Sequence, residues 1–179
     1  MKAIRKIAIV LLAGILLFSA FMLGRGFLKN SGLFQKPLDK VLSERFGEYT
    51  PTETEQEIYA LLCAEREAKG LPPYRFETGL HEVSLIRAKE AVVLWSHTRP
   101  DGRKYGTVIE DFELADYFEC VGENLGCNFK NAEQIHKGLM DSEAHRKNIL
   151  SEEYDGVSIA VYTDAEGNLY LCQTFVKRR

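Results

Sequence analysis

The chain has 179 residues, of which 45% are hydrophobic and 27% charged, and its formal net charge is −3. That balance is ordinary for a globular domain. With no basic stripe and no interleaved aromatic motif, it excludes a nucleic-acid binder.

Lys2, Arg5 and Lys6 precede an apolar run over residues 7–23, broken only by Gly14 and Ser19. The run lies at the short end of the roughly 17–25 residues that cross a bilayer. A basic start and an apolar middle also describe a signal peptide, which needs a small-x-small cleavage site. Phe18-Ser19-Ala20 places a bulky Phe three positions before the cut. The sequence therefore favours an uncleaved signal anchor, with a cleaved signal peptide as the alternative. In either case the basic end stays inside and the rest is exported. The expected location is the extracellular face of the cell membrane, or the medium if the segment is removed. Residues 1–29 read as anchor or signal peptide and 30–50 as a linker with Gly32, Pro37 and scattered charges. A short helix is expected over 38–46, and residues 51–179 form the domain, long enough at about 130 residues for one core.

Within the domain, Thr52 and Glu55 make a capping box after Pro51. Ile58, Leu61, Leu62 and Ala68 follow at helical spacing. Gly70 ends that helix and Pro72-Pro73 prevent its restart. Tyr74-Arg75-Phe76 reads as extended. A second helix is expected over 78–95, with Leu80, Val83, Ile86, Ala91 and Leu94 on its core face, Arg87 paired with Glu90, and Trp95 as a core plug. Ser96-His97-Thr98-Arg99-Pro100-Asp101-Gly102 is a loop closed by a Pro-Asp-Gly turn. It holds His97 at an element end, with Arg99 solvated beside it. Residues 107–117 suggest a short helix. Gly122-Glu123-Asn124-Leu125 reads as a loop in which Asn124 bonds locally, and Asn148 is read the same way. Asn131 with Gln134 resembles a capping box, opening a helix to Met140. Ser142 and His145 share one face of the helical turn that follows. Val157, Ile159 and Val161 alternate as a strand, Asp164 to Asn168 turn, and 169–176 return as a second strand. Helices first and an antiparallel hairpin last predict an α+β fold. His81 and His136, among polar neighbours, are expected at the surface or its rim.

The four cysteines, Cys63, Cys120, Cys127 and Cys172, permit two disulfides in an exported domain, in one of three pairings. A Cys120–Cys127 bridge would staple the Gly122–Leu125 stretch, whereas Cys63 and Cys172 also suit buried free thiols.

Several motifs stand in register over one domain length: Arg66 with Gly70-Leu71-Pro72, Arg87-Ala88 before Glu90, the Ser96–Gly102 loop, Gly122-Glu123-Asn124-Leu125, Ser142-Glu143-Ala144-His145-Arg146, Gly156-Val157 and Gln173-Thr174-Phe175. Together they resemble the bacterial branch of the CAP superfamily, the SCP-like extracellular proteins. The resemblance covers roughly residues 55–175 and implies a three-layer α-β-α sandwich: a small antiparallel sheet between helical layers, with a cleft on one side. Many members carry two histidines and two acids in that cleft. His97 matches the first histidine, Glu123 the first acid and His145 the second histidine. The second acid's place falls at Asp141-Ser142, where the bacterial pattern has Ser. The sequence departs from the family at Leu139, where Trp is common, and at Cys63, where Asn is common.

Two imidazoles and a carboxylate suit zinc or another divalent metal, which makes His97, His145 and Glu123 the candidate ligands. The same groups suit acid–base work. A serine hydrolase would need Ser142 within reach of His145, and an oxyanion hole; no nucleophile elbow of the G-x-S-x-G type is present. The bland alternative is that the trio only ties loops together. The expectation is a ligand-binding or interaction module whose cleft is lined by His97, Glu123, His145, Asp141 and Ser142. Its partner would be a small molecule, lipid or protein at the cell surface, with the membrane reached through the N-terminal segment. The alternative is a metal-dependent or serine-type hydrolase using the same cleft.

Overall fold

A computed structural model describes residues 36–179. The predicted anchor, residues 1–29, lies outside the described residues. Residues Leu42–Arg179 form one compact unit. Helix α1 (Leu38–Phe46) spans the length expected for the linker helix. Within that unit its Phe46 ring meets Phe112 edge-on at 4.9 Å, and Arg45 pairs with Glu113 at 3.4 Å.

Helix α2 (Glu53–Ala68) starts where the capping box places it: the Thr52 hydroxyl accepts from the Glu55 amide, and the Glu55 carboxylate accepts from the Thr52 amide at 2.9 Å. Gly70, at φ 71°, follows its end. Strand β1 (Arg75–Phe76) leads through a 3₁₀ turn into α3 (His81–Val93). Helix α4 (Thr107–Asp111) and a second 3₁₀ turn precede β2 (Phe118–Phe129). Then come α5 (Ala132–Asp141), α6 (Glu143–Ile149), β3 (Gly156–Thr163) and β4 (Leu169–Arg178). The sheet order is β1-β3-β4-β2. β4 runs antiparallel to both β3 and β2, while β1 runs parallel to β3. The sheet is therefore mixed, not purely antiparallel: Tyr74-Arg75-Phe76 enters beside β3 through a crossover.

Strand alternation sorts the side chains onto two faces. On one face Val157, Ile159, Leu171 and Phe175 pack with Ile58 and Leu62 of α2, Ile135 and Leu139 of α5, and Ile149 of α6. On the other, Cys172 and Leu125 pack with Ala88 and Ala91 of α3. Helices thus cover both faces of the sheet.

Further sequence expectations are corrected. The second helix is shorter than 78–95. It ends at Val93, and Leu94 turns extended at φ −140°, ψ 106°. Leu94 and Trp95 are consequently exposed, so Trp95 is no core plug. Gly122–Leu125 is not a loop but the middle of β2. Arg99 is buried, not solvated: its guanidinium bonds Glu90 and Asp111. His136 is buried between helices, with Glu65 3.6 Å away. His81 sits half-buried, stacked on Tyr49 at 3.5 Å. Of the open alternatives for the cysteines, all four stand as free thiols.

Candidate functional site

The site is built on β2. Consecutive residues of a strand point to opposite faces, so Glu123 and Asn124 organise different sides of the sheet. Glu123 points toward α3. There the Arg87 guanidinium donates to both of its carboxylate oxygens, at 2.7 and 3.1 Å, a bidentate pair closed off from water on both sides. Arg87 also donates to the Ser96 carbonyl at 3.0 Å and bonds Glu90, so one side chain positions both the strand acid and the start of the histidine loop. Burial alone would lower the Arg87 pKa; Glu123 and Glu90 reverse this and push it up, so the guanidinium stays charged.

His97 completes the group. Its Nδ1 lies 2.8 Å from Glu123 Oε1, while the side chain as a whole is 56% exposed. Tyr105 stands edge-on to the imidazole with ring centroids 6.0 Å apart, and its hydroxyl donates to the Val121 carbonyl at 3.1 Å. The loop that carries His97 is pinned from beneath by Arg99, which bonds Glu90 at 2.8 Å and Asp111 at 2.6 Å. Burial opposes ionisation of Glu90, but Arg99 and Arg87 outweigh it and hold its carboxyl below the usual range.

Asn124 points to the other face. Its amide donates to the His145 carbonyl at 3.1 Å and to Gln173 Oε1 at 3.0 Å. Asn148 returns the contact, donating to Asn124 Oδ1 at 2.9 Å and to the Glu123 carbonyl at 3.2 Å. These bonds clamp α6 to β2 and fix the backbone at His145. Burial first, and His97 second, lower the His145 pKa below its ordinary value. Gly122 is required by close approach: a Cβ there would stand 2.4 Å from the Tyr154 hydroxyl.

Of the three motif residues, His97 and Glu123 are in direct contact, whereas His145 is held through its backbone carbonyl by Asn124 and is linked to His97 only electrostatically. The two remaining candidates take other places. Asp141 is exposed and pairs with Lys137 one turn earlier. Ser142 is the N-cap residue of α6 without a side-chain cap bond, and among the described residues no hydrogen bond joins it to His145. Sequence reasoning missed Arg87 as the partner of Glu123, although the Arg87–Glu90 spacing had placed it on a helix. It also missed Tyr105, which carried no motif signal.

The trio does not fit a metal centre as arranged. Zinc needs unengaged donors, whereas both oxygens of Glu123 are held by Arg87. Among the described residues no group of three or more His, Cys, Asp or Glu could hold a metal ion.

Comparison with known proteins agrees with this architecture. The chain is 25% identical over 142 residues to the uncharacterized membrane protein YlbC of Bacillus subtilis, covering 78% of this chain and 39% of that one. It is 25% identical over 107 residues to the uncharacterized protein YkwD of the same organism, covering 59% and 41%. The chain thus spans about two fifths of the length of these relatives. The fold matches the crystal structure of an extracellular protein containing an SCP domain from Bacillus anthracis, with a TM-score of 0.63 at 23% identity over 80% of this chain and 45% of that one. The model of the cysteine-rich secretory protein family, CAP, matches residues 59–175. By that match over most of its folded part, the chain belongs to the cysteine-rich secretory protein (CAP) family.

Proposed function

We propose that this chain is an exported CAP domain tethered at the outer face of the cell membrane, and that its His97–Glu123–His145 cleft binds a small polar ligand. The observation that carries the reading is the state of Glu123. Its charge is neutralised by Arg87, so it fixes the orientation of His97 through Nδ1 and leaves the exposed edge of that ring for a ligand. Burial and His97 lower the His145 pKa, which favours the neutral ring, able both to donate and to accept. Such a pair recognises a hydroxyl, amide or carboxylate without chemistry of its own. The tether rests on the basic start and apolar run of residues 7–23. It gains support from the similarity to a Bacillus subtilis relative described as a membrane protein.

The test is a small-molecule screen by thermal shift on the wild type, repeated on His97→Ala, His145→Ala and Ser142→Ala. A ligand of this cleft loses its stabilising effect in both histidine variants and keeps it in Ser142→Ala. Hits that stabilise all four proteins equally would place binding elsewhere. The hydrolase alternative has one favourable observation, the His97–Glu123 contact, which has the form of a base and its orienting group. It predicts turnover of an ester or peptide substrate that Ser142→Ala abolishes. Turnover unaffected by that change removes the serine version.

A further inference from the structure

Among the described residues, every large apolar side chain left exposed belongs to one uninterrupted stretch: Val92 at 40%, Val93 at 78%, Leu94 at 41% and Trp95 at 53%. A soluble domain scatters such residues singly. Here they close α3 and lead into the loop that carries His97. The exposure is built rather than frayed, because the backbone is held on both sides. The Leu94 amide donates to the Glu90 carbonyl at 2.8 Å, and the Ser96 carbonyl accepts from Arg87 at 3.0 Å. Directly before the stretch, Ala88 and Ala91 are locked into the core. Lys89 is exposed one helical turn ahead of Val93, on the same side of the helix.

We infer that residues 92–95 form a membrane-docking tip, which enters the outer lipid surface and holds His97 at the headgroup layer. The lipid occupant is argued from three observations. First, the stretch is a helix end offering a few hundred Å² at most, well below the roughly 800 Å² per partner of a stable protein interface. A tip of that size is too small for a dimer and sufficient for a surface that is already near. Second, its composition suits the water–lipid boundary: aliphatic side chains to enter, a Trp whose ring prefers the interface, and a Lys whose stem can lie along lipid while its charge stays wet. Third, the chain carries its own apolar run, residues 7–23, and the short link from there to the compact unit at Leu42 spans at most about 65 Å when fully extended. A tether of that length raises the local concentration of lipid, so a weak tip engages without a strong affinity of its own. This last argument rests on the membrane-anchor reading given above.

Trp95 is the only tryptophan of the chain, so its fluorescence reports the tip alone. The experiment uses the full chain reconstituted into phosphatidylcholine–phosphatidylglycerol vesicles, with and without lipids brominated on their acyl chains. Flotation reports the anchor, and quenching reports the tip. The expected result is a blue-shifted emission, strong quenching by brominated lipid and a severalfold loss of acrylamide access. Val93→Asp, at a side chain already in water, keeps the fold and returns Trp95 to acrylamide. A chain that floats while Trp95 stays open to acrylamide and untouched by brominated lipid overturns the tip and leaves the anchor standing. A chain that does not float but is quenched by added vesicles upholds the tip and removes the anchor; one that does neither removes both. Shielding of Trp95 that grows with protein concentration in the absence of lipid assigns the stretch to a second copy of the chain and overturns the proposal.

Discussion

At the scale of single residues, the cleft depends on Arg87. Its side chain is 1% exposed, and so nearly is that of Glu123 at 2%. A buried ion pair gains little over a well-packed apolar pair, but removing one partner strands the other charge. Arg87→Met should therefore lower unfolding stability by about 3–5 kcal/mol, whereas Arg87→Met with Glu123→Leu should lose markedly less than the two single changes combined. Urea titrations of the four proteins at pH 7 measure that coupling, and additivity would mean that the pair is not coupled in solution. Glu55 offers a second residue-level test. Burial would raise its pKa, but hydrogen bonds from His81, Tyr49 and the Thr52 and Val161 amides overcome this and hold it at about 2. A depressed carboxylate stabilises the fold above its unfolded pKa, near 4.5, and that contribution is lost as pH falls toward 2. Glu55→Gln should cost about 2–3 kcal/mol at pH 7. It should also flatten the fall in stability between pH 5 and pH 2, which denaturation midpoints across that range would show.

At the scale of elements, α6 reaches the site because Asn148 and Asn124 exchange bonds across to β2. Asn148→Ala removes donors to Asn124 Oδ1 and to the Glu123 carbonyl and leaves both acceptors short of a partner. The expected cost is about 1–3 kcal/mol. Amide exchange should rise in α6 while β4, paired on both sides, stays protected. Equal acceleration in both elements would mean that the clamp is not local. The same elements show what was readable beforehand. The capping box of α2, the linker helix and the β3–β4 hairpin depend on signals within a few residues, and each formed where its signal stood. Gly122-Glu123-Asn124 read as a loop because these are turn residues. In the fold their polar groups are satisfied by partners far along the chain: Arg87 and Gln173 for the side chains, and Tyr154 for the space beside the glycine. Trp95 read as core because helical spacing continued past Val93, with no local stop signal to end it. Arg99 and His136 read as surface because their partners, Glu90 with Asp111 and Glu65, come from other elements.

At the scale of the whole molecule, a CAP domain with four cysteines holds together without a crosslink. The fold explains why two of the bridges considered do not form. Cys120 and Cys127 lie on the one strand β2, so their α-carbons stand about 20 Å apart at the rise of a strand, against the roughly 7 Å a disulfide tolerates. Cys63 packs with the α2–α5 face of the sheet and Cys172 with the α3 face, so the sheet separates them. Buried arginines tie the layers instead. Arg66 donates to the Pro72, Ile149 and Ser151 carbonyls and lies 3.5 Å over the Tyr74 ring, while Arg87 joins α3 to β2. The thiols should therefore differ in reactivity. Burial, and then the charge of Glu123, push the Cys172 thiol well above its usual pKa, so it carries almost no thiolate. Without any reductant, iodoacetamide on the unfolded chain should add four labels by intact mass. On the folded chain Cys172 should react last, at a rate set by opening of the core rather than by its own ionisation. Fewer than four labels on the unfolded chain would reveal a disulfide. Rapid labelling of Cys172 in the folded chain would mean that the α3 layer opens far more readily than its packing implies.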